Sequence, residues 1–405
     1  MEPPVKIVAV ETLRTGIRPN LCFVQLHTDT GAVGLGEAFY GPAAVEGYLH
    51  EQAAPELLGQ ADPAPEPLAH RLRPYTGYQG SGAETRGNGA VDMAAWDLLG
   101  QRAGMPLVDL LGGAVHESVP VYNTCAGARY VAASSRQESD NWGMSPEQGA
   151  EEPFEDLRAF LHRPGELAAE LRAEGIGGMK IWPFDQAAER SGGAWISHDD
   201  LARGVGTVES VREAVGFDME VMVELHGLWY PAAAAEICRA LQPLRPAWVE
   251  DPVRPDAAES LARLRSETGV RVAAGETCTG RRAFLPLLAA GAVDVVTVDP
   301  GWTGGVTEAH KVASLADAHG AAVAPHDCTG PVSLGVATHL VCNAPNGLVQ
   351  ESVRAFLRTW YPLLAEGLPE IAGGRTAPTR APGHGIRLRP EFLARTDTRS
   401  RVTRL

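Results

Sequence analysis

The chain has 405 residues, 44% hydrophobic and 21% charged. That is ordinary globular composition but more chain than one core usually holds, so a large domain with a smaller companion is expected. A formal net charge of −15 argues against a nucleic-acid or anionic-membrane partner, and no run approaches the roughly 20 apolar residues of a membrane helix. The six cysteines form no C-x-x-C pair, which speaks against a zinc knuckle or a disulfide framework and makes a reducing cytoplasm the plain setting.

The first 118 residues read as an α+β unit. Strands are expected over 5–13 and 21–27, then, after the turn Asp29-Thr30-Gly31, over 33–37. Helical patterns follow over 43–58 and 87–103, and Gly112-Gly113 ends the region. From 119 to 367 short β-branched runs alternate with helical stretches. The runs lie at 119–123, 179–182, 220–225, 247–250, 270–274, 293–298, 321–324 and 348–350. Eight strand-helix repeats predict a (β/α)₈ TIM barrel rather than an open sheet, and no G-x-G-x-x-G follows the first strand to favour the latter. The segment 368–405 is expected to return to the N-terminal unit. Its turn at Pro382-Gly383-His384-Gly385 carries no site, and its basic tail from Ala394 is expected to be solvated. Two polar insertions, 134–153 and 186–199, leave strand ends where barrel loops build active sites, so they are candidate lids or specificity loops.

Polar residues recur at successive strand ends. Glu224, Glu250 and Glu276 are each 26 residues apart, one βα unit per step, which puts three carboxylates side by side on one rim. Any one of them alone would be an unremarkable loop acid. Three converging carboxylates repel unless a cation sits between them, and hard oxygen donors suit Mg²⁺, with Mn²⁺ also possible. Asp299 and His326 end the next two strands, and such a pair can orient an imidazole as a general base. Glu351 ends the eighth. Lys180 and Trp182 share one face of the second strand, and His226 follows Glu224 by two, facing His326 across the barrel. Trp302, like Trp182, is a candidate wall for the substrate. Trp195 and Trp229 are weaker candidates, since packing is the commoner fate of tryptophan.

As a set these residues resemble the mandelate racemase/muconate lactonizing enzyme branch of the enolase superfamily. The resemblance covers most of the chain. It rests on Gly34-Leu35-Gly36-Glu37-Ala38, on Ala90-Val91-Asp92-Met93-Ala94-Ala95-Trp96-Asp97, on Leu110-Leu111-Gly112-Gly113, on Trp248-Val249-Glu250-Asp251-Pro252, on Ala274-Gly275-Glu276, and on Asp299 with Gly304-Gly305. It implies a modified enolase barrel under an N-terminal capping domain, Mg²⁺ on Glu224, Glu250 and Glu276, and an Asp299–His326 dyad with His326 as base. It implies that Glu351 hydrogen-bonds the substrate carboxylate or enediolate, as the protonated acid, and that Lys180 is the first lysine of a Lys-x-Lys motif. It also implies a small-molecule carboxylate substrate and a homo-oligomer.

Trp182 stands where that motif has its second lysine, and an indole cannot take a proton, which disfavours a two-base racemase. Glu224-Leu225-His226 and the run from Ala324 to Pro331 are instead similar to galactonate-type acid-sugar dehydratases, in which His226 would be the general acid. The expected reaction is therefore elimination of water from a sugar acid to a 2-keto-3-deoxy acid. An epimerase, racemase or cycloisomerase using the same proton abstraction is the alternative, and a barrel that binds a ligand without turnover is a remoter one.

Overall fold

A computed structural model of the chain describes residues 5–61, 63–73, 82–132, 134–143 and 154–405. The second half of the first polar insertion, 144–153, lies outside the described residues.

The chain opens as an antiparallel meander of β1 (Ile7–Arg14), β2 (Leu21–Thr28) and β3 (Val33–Phe39). The helix Ala83–Ala103 lies across β3. Glycine is required at two positions for that approach: a Cβ at Gly34 would fall 2.1 Å from the Ala94 carbonyl oxygen, and one at Gly36 1.9 Å from that of Ala90. Apolar residues of the sheet and this helix, among them Val10, Val24, Ala38, Ala90, Ala94 and Leu98, form a core of their own.

The sheet has a fourth strand that the sequence reading did not anticipate. Residues Arg399–Arg404 pair antiparallel with β1, from Ala9 opposite Arg404 to Arg14 opposite Arg399. The tail expected to be solvated is thus an edge strand. Its side chains are almost all exposed, so it carries no apolar alternation, and backbone pairing alone defines it. His50 ties it down, with Nδ1 2.7 Å from Thr403 Oγ1 and Nε2 2.9 Å from Thr12 Oγ1.

The barrel strands follow in the expected order. They are β4 (Val119–Thr124), β5 (Gly178–Ile181), β6 (Glu220–Glu224), β7 (Trp248–Glu250), β8 (Val272–Ala274), β9 (Val295–Val296), β10 (Ala322–Val323) and β11 (Gln350–Ser352). A parallel ladder runs without a break from β4 to β10, and β11 pairs parallel with the other side of β4. One isolated parallel bridge, Val323 with Gly347, joins β10 to the chain just before β11. The eighth strand starts two residues later than expected, because Leu348 is exposed and Gln350 to Ser352 are buried. Helices cover the outside. In Val306–Ala318 the buried positions Ala309, Val312, Ala313 and Ala316 keep the period expected of a helix on a sheet. Among the described residues no helix is long and apolar enough to cross a membrane.

Three polar side chains, Glu37, Asp92 and Trp96, fix the capping sheet and its helix over the β9–β10 side of the barrel. Glu37 of β3 accepts from the backbone N–H groups of Val332 and Ser333, both at 2.8 Å, at the start of helix Pro331–Asn343. Asp92 accepts from Thr307 N at 2.9 Å and from Thr307 Oγ1 at 2.6 Å. Trp96 Nε1 donates to the same hydroxyl at 2.9 Å.

Candidate active site

The strand ends bring the expected residues together. Glu224, Glu250 and Glu276 are buried, and one carboxylate oxygen from each lies within 4.8 Å of the others. The protein uses one oxygen of two of these groups to aim them: Trp248 Nε1 donates to Glu250 Oε2 at 2.9 Å, and His226 N donates to Glu224 Oε1 at 2.7 Å. Glu224 Oε2 and Glu250 Oε1 are left without a hydrogen-bond donor. Buried carboxylate oxygens in that state are costly unless something cationic meets them. Lys180 from β5 supplies part of that charge. Its Nζ lies 2.9 Å from Glu351, 3.2 Å from Glu250 and 3.4 Å from Glu224. Burial lowers the Lys180 pKa, but the surrounding carboxylates outweigh it and hold the group as an ammonium.

One ammonium does not balance these carboxylates. Burial, reinforced by Glu224, Glu351 and Glu276 against the pull of Lys180, lifts Glu250 to about 8. The geometry and the donor set therefore fit a divalent cation, held by Glu224, Glu250 and Glu276.

Next to the trio, His326 Nδ1 lies 2.8 Å from Asp299 Oδ2, and Nε2 is 3.4 Å from Glu276. Asp299 caps the short helix Pro300–Thr303, accepting from Trp302 N at 2.9 Å through its other oxygen, so the carboxylate is fixed at both ends. Burial lowers the His326 pKa; Glu276, Glu351 and Asp299 outweigh it and raise it to about 10. The Trp302 ring leans on His326 at 4.9 Å and stacks on Tyr40 of the cap at 5.5 Å.

Glu351 departs from expectation. Thr124 Oγ1 donates to it, Asp327 N donates at 2.9 Å, and Lys180 sits at 2.9 Å. Burial raises its pKa, yet Lys180, His326 and Thr124 outweigh this and leave it below the ordinary value, so Glu351 is a carboxylate rather than the protonated acid expected.

A second dyad was not foreseen. His226 Nδ1 lies 2.7 Å from Asp185 Oδ2, and Asp185 is buried. Asp185 opens the helix Asp185–Ser191 beyond β5, at the end of the unusual run Lys180-Ile181-Trp182-Pro183-Phe184. Burial lowers the His226 pKa, but Asp185 and then Glu224 outweigh it and carry it to about 9. His226 is itself held at φ 49°, a left-handed conformation that costs a non-glycine residue of order 1–3 kcal/mol. His226 follows β6 and His326 follows β10, four strands apart in the ring, and both line one cavity.

Trp182 and Trp302 also line that cavity, and the indole N–H of each has no partner among the described residues. Trp195 is exposed and Trp229 is buried, and neither lines this cavity. Of the two insertions, 134–143 contributes Gln137 to the cavity wall, whereas 186–199 folds as the end of helix Asp185–Ser191 and a loop that packs on the backbone of Leu228. Tyr40, Thr124, Tyr130 and Cys328 also line the wall and were not proposed as site residues from sequence.

Comparison with known proteins agrees with this geometry. Residues 164–392 match the enolase C-terminal domain-like family, and residues 1–112 match the mandelate racemase/muconate lactonizing enzyme N-terminal domain. The chain is 28% identical to a D-galactonate dehydratase of Ralstonia nicotianae, across 94% of this chain and 92% of that one. It is 30% identical to a D-gluconate dehydratase of Thermoproteus tenax across 75% of this chain and 54% of that one. Among solved structures, an enolase of the mandelate racemase subgroup from Agrobacterium tumefaciens superposes with a TM-score of 0.87 at 40% identity, covering 98% of this chain and 99% of that one. An enolase protein from Sargasso Sea environmental sequence gives a TM-score of 0.87 at 39% identity and covers 99% of both chains. With both halves matched and the catalytic rim assembled as described, this chain belongs to the mandelate racemase/muconate lactonizing enzyme family of the enolase superfamily.

Proposed function

We propose that the chain is a hydro-lyase that dehydrates a sugar acid to a 2-keto-3-deoxy acid. The observation that carries this reading is the pair of His–Asp dyads, His326–Asp299 and His226–Asp185, placed across one cavity beside a carboxylate trio. Elimination of water needs a base at the carbon next to the carboxylate and an acid at the hydroxyl one carbon further on. Two separately oriented imidazoles meet that need.

With Nδ1 engaged by Asp299, His326 would present Nε2 as the base that takes the α-proton once a cation on the trio offsets the Glu276 charge that otherwise keeps the imidazole protonated. The electron pair of the broken C–H bond forms the new carbon–carbon double bond as charge moves onto the carboxylate oxygens. Lys180 stands where it can meet that charge. A divalent cation on Glu224, Glu250 and Glu276, Mg²⁺ or Mn²⁺ by donor type, would supply a Lewis acid for the same oxygens. The charge on the carboxylate oxygens then moves back to form the Cα=Cβ bond as the C–O bond breaks, and His226, with Nδ1 beside Asp185, gives its Nε2 proton to the departing β-hydroxyl, which leaves as water. The enol then tautomerises to the keto acid. Trp182 and Trp302 offer unpartnered N–H donors and flat walls to the substrate. Glu351, ionised, holds Lys180 and Thr124 in place instead of donating. The family resemblance further suggests a homo-oligomer in the cytoplasm.

The same two dyads would also suit a 1,1-proton transfer, which keeps an epimerase as the second reading. Purified protein with Mg²⁺, screened against mono- and diacid sugars for 2-keto acid, separates the two. Keto acid that disappears in His326→Asn and Glu250→Gln supports dehydration. Deuterium from D₂O entering the α-carbon of recovered substrate, with inversion and no keto acid, supports epimerisation instead.

A further inference from the structure

We propose that Arg86 is a second anion-binding position and that the substrate carries a second anionic group, carboxylate or phosphate, at the end remote from the reacting carboxylate. The inference rests on the acid-sugar reading above.

The inner cavity opens into a wider outer one. The two share His226, Glu276 and Trp302, and the outer one adds Ser135, Thr277 and Arg86. A chain anchored beside Lys180 and running outward therefore passes the two imidazoles and meets Arg86. Lys180 lines the inner cavity and not the outer one, so it does not reach the far end.

Arg86 is free to do so. Its Nε donates to the Tyr40 carbonyl oxygen at 3.0 Å, and that bond aims the guanidinium. Nη1 and Nη2 have no hydrogen-bond or ion-pair partner among the described residues, in a chain whose net charge is −15. Neighbouring arginines differ: Arg281 lies 3.1 Å and Arg73 3.8 Å from Glu308. Gly41 and Gly82, both with positive φ, flank the fork, and a Cβ on either would meet Nη2 or Nη1 only at ordinary contact distance, 3.4 and 3.5 Å. Arg86 is only partly exposed; burial lowers its pKa and the nearby Glu84 carboxylate offsets only part of that, so an anion on the open Nη groups is favoured there. A planar fork with both Nη groups open is the geometry that takes a carboxylate or phosphate in bidentate fashion.

The test uses the full chain carrying His326→Asn, which cannot take the α-proton, with Mg²⁺ present. Calorimetric affinities are measured for six-carbon monoacids, diacids and terminally phosphorylated acids, each across its stereoisomers. The expected result is that the best dianionic ligand binds about tenfold tighter than its monoacid counterpart, the fold-change of one charge-assisted pair. Whether diacid or phosphate leads identifies the group. Adding Arg86→Met is expected to close the gap by weakening the dianions, and Arg86→Lys to keep part of it, with unfolding temperatures checking that each variant is folded. Equal affinity for mono- and dianions, or a preference that survives Arg86→Met, would overturn the assignment of Arg86 and leave the dehydratase reading intact. Failure of all three ligand classes to bind would reject both.

Discussion

Asp185→Asn separates the two histidines. The substitution keeps the shape of a buried side chain and removes its charge, so the 2.7 Å ion pair with His226 is lost. A charge-assisted bond is worth about 1.5–3 kcal/mol, and each 1.36 kcal/mol is a factor of ten in rate, so the step that uses His226 should slow by roughly 10–100-fold. The sign agrees with the electrostatics. Burial alone pulls the His226 pKa down and Asp185 is the first group to oppose it, so without that charge the imidazole holds its proton less firmly. His326 is on the far side of the ring with its own partner, and its chemistry should be nearly unaffected. The assay follows two readouts on one substrate: keto acid formed, and α-proton exchanged in D₂O. The expected outcome is a large loss of the first with exchange kept within about threefold, a margin of under 1 kcal/mol. Equal loss in both readouts would mean that Asp185 merely supports the fold, and no loss in either would refute the acid role of His226.

Lys180→Met leaves Glu224, Glu250 and Glu351 without their ammonium, and breaking a buried charge network of this kind costs about 3–5 kcal/mol. Denaturant unfolding in EDTA should show that loss and excess Mg²⁺ should recover part of it; a change under about 1 kcal/mol would contradict the geometry. In the wild type, Mg²⁺ at a hundredfold excess over its Kd should stabilise by about 2.7 kcal/mol. Glu250→Gln should abolish that increment in a thermal melt, whereas retention of it would place the cation elsewhere. Glu37 offers a pH test remote from the rim. Burial, only partly offset by the N–H groups of Ser333 and Val332, raises its pKa from 4.5 to about 7. A raised carboxyl pKa contributes stability that is present below pH 4.5 and lost as pH climbs through 7. Glu37→Gln should therefore gain on the wild type between pH 5 and pH 8, by roughly 1–3 kcal/mol, in urea unfolding followed across that range. A constant difference would show that Glu37 is ionised throughout.

Much of the rim was legible because strand ends leave a rhythm. Glu224, Glu250 and Glu276 recur at 26-residue steps, and Lys180 could be assigned a face because alternation along β5 fixes it. Asp185 gave no such signal. It sits on a helix beyond its strand, and only the folded loop brings it to a histidine 41 residues later. Tyr40 and Arg86 reach the site by docking of the cap, and no local pattern encodes where one domain lands on another. The charge state of Glu351 was misjudged for the same reason, since Lys180 reaches it through space from 171 positions away. Arg399–Arg404 was missed because an edge strand with both faces in water needs no apolar periodicity.

The pairing of β1 with Arg399–Arg404 also sets an order in time. β1 waits for a neighbour made only after the whole barrel, an interval on the order of tens of seconds at ordinary elongation rates. Until then one margin of β1 is open, and the roof over the reaction chamber lacks its outer rafter. The barrel can close first around its own local units, while the roof is finished last. A nascent or proteolytically shortened chain would thus carry an assembled rim beneath an unfinished cover, with its reactive groups open to water and its unpaired edge open to other chains.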